Sequence, residues 1–331
     1  MNPLAHALTT PALHVPQGVL DDLAMVETRL AAELHAREPR LTAIATHLVG
    51  AGGKRVRPLV VLLVAHAASP GPLARRDDVV EAAVALELIH SATLLHDDII
   101  DGGETRRGKP SALTVFGLGD TLVAGDFLFC RAFALCARFE ATVIRWAAEA
   151  CVSLTEGEIL QARFRRNATV TAADYLEIID RKTASLFATG ARTAAHLAGG
   201  SPALVETMAA CGTHVGRAFQ MQDDLLDVES TTAQTGKPRG LDLRDGNPSL
   251  PIVLALQEDA EVRRIFGLAA PTPADIETGL ARIRRAGVCS IVSTRARDEL
   301  DAALATIGTL PPSDARTALD VLARSLGDRV A

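Results

Sequence analysis

Two stretches of this sequence place three carboxylates in a row of six: His96-Asp97-Asp98-Ile99-Ile100-Asp101 and Gln222-Asp223-Asp224-Leu225-Leu226-Asp227. Both have the spacing DDxxD. On a helix, residues four apart share a face, so Asp97 projects with Asp101 and Asp223 with Asp227. Carboxylates held this close repel one another unless a cation neutralises them. Hard oxygen donors suit Mg²⁺ or Mn²⁺. Mg²⁺ commonly takes one or two carboxylates, keeps waters and draws its other ligands from phosphates. A solvated acidic face is the alternative. It fits poorly with Leu94, Leu95, Ile99 and Ile100 around the first triplet and Phe219, Leu225 and Leu226 around the second. It must also account for the same pattern occurring twice.

The cations fall in four short segments: Gly52-Gly53-Lys54-Arg55-Val56-Arg57-Pro58, Thr105-Arg106-Arg107-Gly108-Lys109, Arg181-Lys182-Thr183 and Gly236-Lys237-Pro238-Arg239-Gly240. Each sits at or near a glycine or a polar break, where backbone N–H groups can also face an anion. Arg offers phosphate a planar bidentate fork and Lys a point charge. The Gly52 segment is no P-loop, because GxxxxGK[ST] is absent. Any one segment alone could simply keep the surface soluble. Their order argues otherwise: Arg106 and Arg107 follow the first triplet by one loop, and Lys237 follows the second by one loop. Carboxylates, metals and cations together describe a diphosphate site. His90 precedes Asp97 by two helical turns on the same face, roughly 10 Å along the axis. A satisfied core histidine is the other reading of that residue. Gln220 precedes Asp223 by three residues and shares its face.

These side chains need helices to hold them, and helical periodicity dominates the chain. Val19, Leu20, Leu23, Val26, Leu30 and Leu34 recur at three- and four-residue steps. Further helices are expected at 41–49, 58–68, from Asp77 or Asp78 towards Asp101, and at 119–140, 142–165, 172–198, 202–229, 249–257, 273–286, 290–307 and 313–329. Thr171 with Asp174, Ser201 with Pro202, Thr272 with Pro273, and Ser313 behind Pro312 mark helix starts. Strand-like alternation is hard to find. The stretch 230–248 is the longest polar loop, and such loops are often functional. The 331 residues would suggest two domains at about 150 residues each. No linker or repeat divides them, so the expectation is one all-α domain over 18–331 behind a loose tail at 1–17.

Composition narrows the function classes. Hydrophobic residues make 48% and charged residues 22%, enough apolar material for a large core and too much for a disordered chain. Aromatics make only 3%, which argues against single-strand nucleic-acid binding by stacking, and the net charge of -6 argues against a duplex-DNA binder. Five cysteines, with no CxxC pair, suit neither a disulfide framework nor a zinc ribbon and point to a reducing, cytoplasmic location. The longest apolar run, 59–68, is too short to span a bilayer, and the N-terminus lacks the pattern of a signal peptide.

With these motifs in order, the sequence resembles the trans-type isoprenyl diphosphate synthases, the polyprenyl synthetase family. The matching pieces are GGKRVRP at 52–58, HDDIID followed by RRG at 96–108, KTASLF at 182–187, FQMQDDLLD at 219–227 and GKPRGLDL at 236–243. The resemblance runs from about Val19 to the C-terminus. It implies an all-α helical bundle of the isoprenoid synthase type with a central substrate cavity, a homodimer, and Mg²⁺, three ions when substrate is bound. Asp97, Asp101 and Asp223 would hold metal, with Asp98, Asp224 and Asp227 supporting them. Arg106, Lys182, Thr183, Gln220 and Lys237 would hold the allylic diphosphate, and Lys54, Arg57, His90 and Arg107 isopentenyl diphosphate. Lys182, Arg106 and Arg107 would take the catalytic part, stabilising the diphosphate as it leaves. No side chain is an obvious general base, and in the family the released diphosphate is thought to take the proton. One departure stands out: many members have Lys where this chain has Asn247, which removes one diphosphate contact.

In that family, bulky residues four or five positions before the first DDxxD stop growth early. Here those positions are Thr93 and Ala92, both small, which implies a product beyond twenty carbons, typically a quinone side chain. The floor would then lie on another helix, with Phe127, Phe129 and Phe133 as candidates. A geranylgeranyl or shorter-chain synthase is the first alternative. A terpene cyclase would share the Asp-rich helix but has no use for the second triplet and the GGKRVRP segment. A non-catalytic partner subunit would usually have lost aspartates or arginines that this chain keeps.

Overall fold

A computed structural model of the chain describes residues 14–69, 71–229 and 239–327. The expected tail therefore lies almost wholly outside the described residues, as does the 230–238 part of the polar loop. The fold is all-α, as expected. Backbone contacts group the chain into two compact units. The first comprises Met1–Glu149, Thr189–Ala209 and Thr306–Leu322, and the second Ala150–Ala188, Ala210–Ala305 and Ala323–Ala331.

The first unit is organised around the Arg76–Ile100 helix, which packs against Gln17–Glu33, Val56–Ala68 and Leu118–Cys136. Val19, Leu23, Val26 and Leu30 repeat at steps of four, three and four and are all buried, so Gln17–Glu33 applies one apolar stripe to the core. Val56–Ala68 has no polar face over Leu59–Ala65, and every residue of that run is buried. Each such Leu or Val contributes about 1.5–3 kcal/mol relative to exposure. The Arg76–Ile100 helix is long and apolar enough for a membrane span by composition, but 72% of its most apolar window is buried inside the protein. Its first turn carries Asp77 and Asp78, which favour the positive end of a helix. The N-cap itself is Arg75 rather than either aspartate, and Arg75 Nε donates to Asp78 Oδ2 at 2.8 Å.

After that helix the chain makes a two-stranded antiparallel hairpin, Thr105–Arg106 against Lys109–Pro110. Its two-residue turn is Arg107-Gly108, with φ of 53° and 74°. Positive φ at both central residues is the type I′ turn that suits the twist of a hairpin. Strands this short leave no alternation for a sequence reading to detect.

The second unit buries a core that includes Tyr175, Ile179, Leu225, Leu250, Phe266 and Leu280. Capping boxes at Thr171 with Asp174 and Thr272 with Asp275 start two of its helices, as the sequence leads one to expect. Three expectations change. The span 172–198 is not one helix: Ala172–Ile179 and Ser185–Leu197 flank a π-helical turn, Asp180–Ala184. The 230–248 stretch contains a short helix, Leu241–Asp245, begun by Gly240 at φ 71°. A further helix, Ala260–Phe266, is capped by Asp259, which accepts from Glu261 N and Val262 N.

Candidate active site

In the first unit, the first aspartate triplet closes the Arg76–Ile100 helix, with Asp101 as its C-cap residue. The carbonyl end of a helix is already negative, so carboxylates there deepen a potential that a cation relieves. Asp97 is half-buried and Asp101 exposed. Asp98 behaves differently. It is buried, and its Oδ1 accepts from Arg106 Nε at 2.8 Å and lies 2.6 Å from Arg106 Nη2. Its Oδ2 is buried with no hydrogen-bond partner among the described residues. Arg106, which the resemblance assigns to the allylic diphosphate, is thus tied to the triplet itself.

Beside the triplet lies a cationic cluster. Burial, and then the charges of Arg57, Arg107, Arg106 and Arg55, push the His90 pKa well below the ordinary value. The imidazole is therefore neutral. Burial also lowers Arg107, with Glu87 opposing and Arg55 and Arg106 adding to it. Cations so crowded create a potential that favours an anion. Gly53 permits this closeness: a Cβ there would lie 3.1 Å from Arg107 Nη1. Arg55 has another task. It is buried, and it donates to Glu27 at 2.6 Å and to Glu87 at 3.2 Å, from a left-handed N-cap position at φ 47°. Of the three cations in GGKRVRP, Lys54 is exposed and Arg57 half-buried, while Arg55 anchors the loop.

Ala92 and Thr93 are both buried on the same helix, and Thr93 Oγ1 donates to His90 O at 2.8 Å. Phe133 is 40% exposed, which removes it from the candidate floor residues. Phe129 packs against the His96 ring at 5.9 Å. A small apolar cavity in this unit is lined instead by Val61, Ala85, Leu86, Phe139 and Gly190, among others.

In the second unit, the second triplet sits in the last turns of the Pro202–Glu229 helix. Asp223 is half-buried. Asp224 is buried: its Oδ1 accepts from Gln220 Nε2 at 3.0 Å and its Oδ2 from Leu250 N at 3.0 Å. Asp227 caps the Leu241–Asp245 helix, accepting from Leu241 N at 3.0 Å and Asp242 N at 3.1 Å. Burial pushes Asp224 up to about 7, with Asp223 adding to it. Burial, with the charge of Asp245, raises Asp227, and burial with Asp227 and Asp224 raises Asp242 well above the carboxylate range. These acids share a negative field that a divalent cation would offset.

The π-helical turn presents Lys182 and Thr183. Thr183 Oγ1 donates to Gln220 Oε1 at 2.9 Å, which explains Gln220: it links the turn to the triplet through Asp224. Lys182 Nζ lies 2.5 Å from Glu158 Oε2. Lys237 lies outside the described residues. Asn247 Oδ1 accepts from Gln161 Nε2 at 3.3 Å, so the departure from Lys is filled by a neutral amide pair. Sequence reasoning missed Glu158, Asp242 and the Arg55–Glu87 pair. Glu158, Asp242 and Glu87 lie within helices and Arg55 caps one, and the residues that define their roles are distant in sequence. Among the described residues, no three His, Cys, Asp or Glu side chains already converge as a metal cage. Each triplet, taken by itself, still suits an oxygen-seeking divalent cation, because its side chains are all carboxylates: in the first unit the neighbouring Asp98 has an unpartnered buried oxygen, and in the second Asp224, Asp227 and Asp242 have raised pKa values.

Comparison with known proteins gives a consistent result. The family model described as polyprenyl synthetase matches residues 38–281. Solanesyl-diphosphate synthase 2, chloroplastic, of Oryza sativa subsp. japonica is 35% identical over 305 residues, 91% of this chain and 76% of that protein. Octaprenyl diphosphate synthase of Haemophilus influenzae is 33% identical over 314 residues, 93% of this chain and 94% of that protein. Among solved structures, polyprenyl synthase from Caulobacter crescentus, complexed with calcium and isoprenyl diphosphate, superposes with a TM-score of 0.89 at 35% identity, covering 95% of this chain and 97% of that one.

Proposed function

The chain belongs to the polyprenyl synthetase family, and from that premise we propose that it condenses isopentenyl diphosphate with an allylic prenyl diphosphate, building an all-trans chain beyond twenty carbons. The observation that carries this reading is the cationic cluster of the first unit: Arg57 and Arg107 stand beside His90, while Arg55 is braced by Glu27 and Glu87 and Arg106 by Asp98. A cyclase needs one diphosphate site, supplied here by the aspartates with Lys182 and Thr183. A further anion pocket calls for a second diphosphate substrate.

The roles follow from chemistry. Asp97, Asp101 and Asp223 would hold Mg²⁺, whose bound charge would stabilise the departing diphosphate. Asp98 and Asp224 position these helices: one anchors Arg106, and the other anchors Gln220 and the Leu250 backbone. Arg106, Lys182, Thr183 and Gln220 bind the allylic diphosphate, and the family resemblance adds Lys237 to them. Donors pre-aimed at the leaving oxygens lower the cost of ionising the allylic C–O bond. Lys54, Arg57, His90 and Arg107 bind and orient isopentenyl diphosphate, so that its double bond meets the allylic carbon. Loss of a proton to the released diphosphate then restores an allylic diphosphate, ready for another cycle. Ala92 and Thr93 leave room for the growing tail, and each buried CH₂ contributes about 0.8 kcal/mol.

We treat 18–331 as one catalytic domain, since each compact unit is assembled from three separate stretches of chain. A homodimer is supported by the exposed apolar side chains Leu118, Leu122 and Phe133 on one helix. A cytoplasmic location accords with five cysteines, none of them in a disulfide.

The test is an extension assay with Mg²⁺, isopentenyl diphosphate and geranyl, farnesyl or geranylgeranyl diphosphate, read by mass spectrometry. A ladder ending beyond twenty carbons is the expected result. Turnover of the allylic substrate without incorporation would favour a cyclase.

A further inference from the structure

We propose that Glu158 is a positioning residue for Lys182, holding its ammonium in place for the allylic diphosphate. The inference rests on the reading of Lys182 as a diphosphate-binding residue. Lys182 Nζ and Glu158 Oε2 are 2.5 Å apart, and the two side chains are only 22% and 12% exposed. An ion pair this sheltered is screened less than a surface pair, so it fixes the long lysine side chain more firmly.

The backbone is built to bring the two together. Glu158 follows Gly157 in the Ala141–Phe164 helix, and a Cβ on Gly157 would stand 2.7 Å from Lys182 N and 2.8 Å from Arg181 Cβ. Only glycine allows the helix to lie this close to the π-helical turn. A π-turn inserts an extra residue into a helix and re-aims the side chains it carries, and such turns often occur at functional sites. Here its polar residues are fixed one by one. Asp180 accepts from Arg217 at 2.5 and 2.7 Å, Arg181 donates to Glu156 at 2.8 Å, and Thr183 donates to Gln220 at 2.9 Å. With the turn immobilised, the remaining freedom lies in the four-carbon stem of Lys182, and Glu158 is a carboxylate that limits it. Glu156, two residues earlier, is 57% exposed and serves Arg181, which makes it the natural control.

A lysine held by a carboxylate is aimed before substrate arrives, and the diphosphate inherits that aim. The benefit belongs to the ionisation step, where charge builds on the leaving oxygens, rather than to ground-state binding.

The test is steady-state kinetics on Glu158→Gln, Glu158→Asp, Glu156→Gln, Lys182→Gln and the Glu158→Gln/Lys182→Gln double variant, each checked by thermal melting. Glu158→Gln should lower kcat by roughly ten- to a hundred-fold, the cost of a misplaced group, while the KM for the allylic substrate moves less than about three-fold. Glu156→Gln should match wild type, because Arg181 keeps its bond to Glu177 at 2.6 Å. The double variant should be no slower than Lys182→Gln alone, because Glu158 acts only through Lys182. Additive losses in the double variant, or wild-type kcat in Glu158→Gln, would overturn the proposal. Should Glu158→Gln melt far below wild type, Glu158→Asp decides: it keeps the charge, shortens the reach, and should lose kcat at an unchanged melting temperature. Wild-type turnover by Lys182→Gln would instead overturn the assignment of Lys182, a different failure.

Discussion

His90 has its charge set by its surroundings rather than by its own chemistry. Burial, together with Arg57, Arg107, Arg106 and Arg55, keeps it neutral. Its folded pKa lies below the unfolded value of about 6.5. The unfolded chain therefore takes up a proton first as pH falls, and the stability that neutral His90 represents is complete above about 6.5 and lost as pH drops towards the folded pKa. His90→Gln should flatten that segment of the stability–pH curve while keeping a neutral donor, and should hold the KM for isopentenyl diphosphate within a few-fold. His90→Ala should raise that KM. Urea melts across pH 5 to 8 and initial rates check both. Asn247 offers the converse case. Restoring the family's lysine by Asn247→Lys should lower the KM for the allylic diphosphate by a few-fold, about 1 kcal/mol for one added charge contact. An unchanged KM would mean that the Gln161–Asn247 amide pair lies outside the diphosphate's reach. At this scale much was legible in the sequence, because DDxxD and clustered cations announce metal and phosphate. What stayed hidden was the division of labour. Lys54, Arg55 and Arg57 look alike in the sequence, and only the burial of Arg55 between Glu27 and Glu87 separates anchor from ligand.

At the scale of elements, a 3.6-residue pattern locates helices but is blind to an interruption that keeps the chain helical. The expected helix at 172–198 hides the Asp180–Ala184 turn for that reason, and with it the device that aims Lys182 and Thr183. The hairpin at 105–110 escapes notice because two-residue strands have no period, although Arg107-Gly108 carries both positive φ values of its turn. Two consequences follow from helix geometry. Gly157→Val would push a branched side chain into the backbone of the π-turn, costing about 1–3 kcal/mol by overpacking. It should lower the melting temperature and kcat together, whereas Gly157→Ala should fall between it and wild type. The second concerns product length. Thr93 sits one turn before Asp97 on the same helix face and is buried. Thr93→Phe should fill the space just beneath the aspartates and shift the ladder to shorter products with little loss of total incorporation. Mass spectra of the reaction products check this, and an unchanged ladder would place the tail on another face.

At the scale of the whole molecule, what the fold leaves uncovered matters as much as what it buries. On the Leu118–Cys136 helix, Leu118, Leu122 and Phe133 are 60%, 43% and 40% exposed. They recur at steps of four and eleven, a single stripe along the helix. Val123, 53% exposed, widens it. Monomeric proteins rarely leave large apolar side chains aligned in this way, and an aligned stripe marks an association surface. A second copy of the chain is the occupant such a stripe fits. These side chains are already about half covered, so burying the rest of three or four of them contributes about half of 1.5–3 kcal/mol each, and the same stripe enters twice in a symmetric pair. The sum, roughly 5–12 kcal/mol, spans the roughly 8 kcal/mol of a micromolar complex before the cost of lost rigid-body freedom is subtracted, so polar contacts at the rim must add to it. The purified chain should therefore sediment as a dimer at micromolar concentration. Leu122→Asp with Phe133→Asp should give a monomer, because each side then presents charges that cannot be buried unpaired. The double variant should keep its helical circular dichroism, since neither side chain belongs to the core of its unit. A wild-type monomer at tens of micromolar, or a double variant that still pairs, would move the interface elsewhere on the molecule.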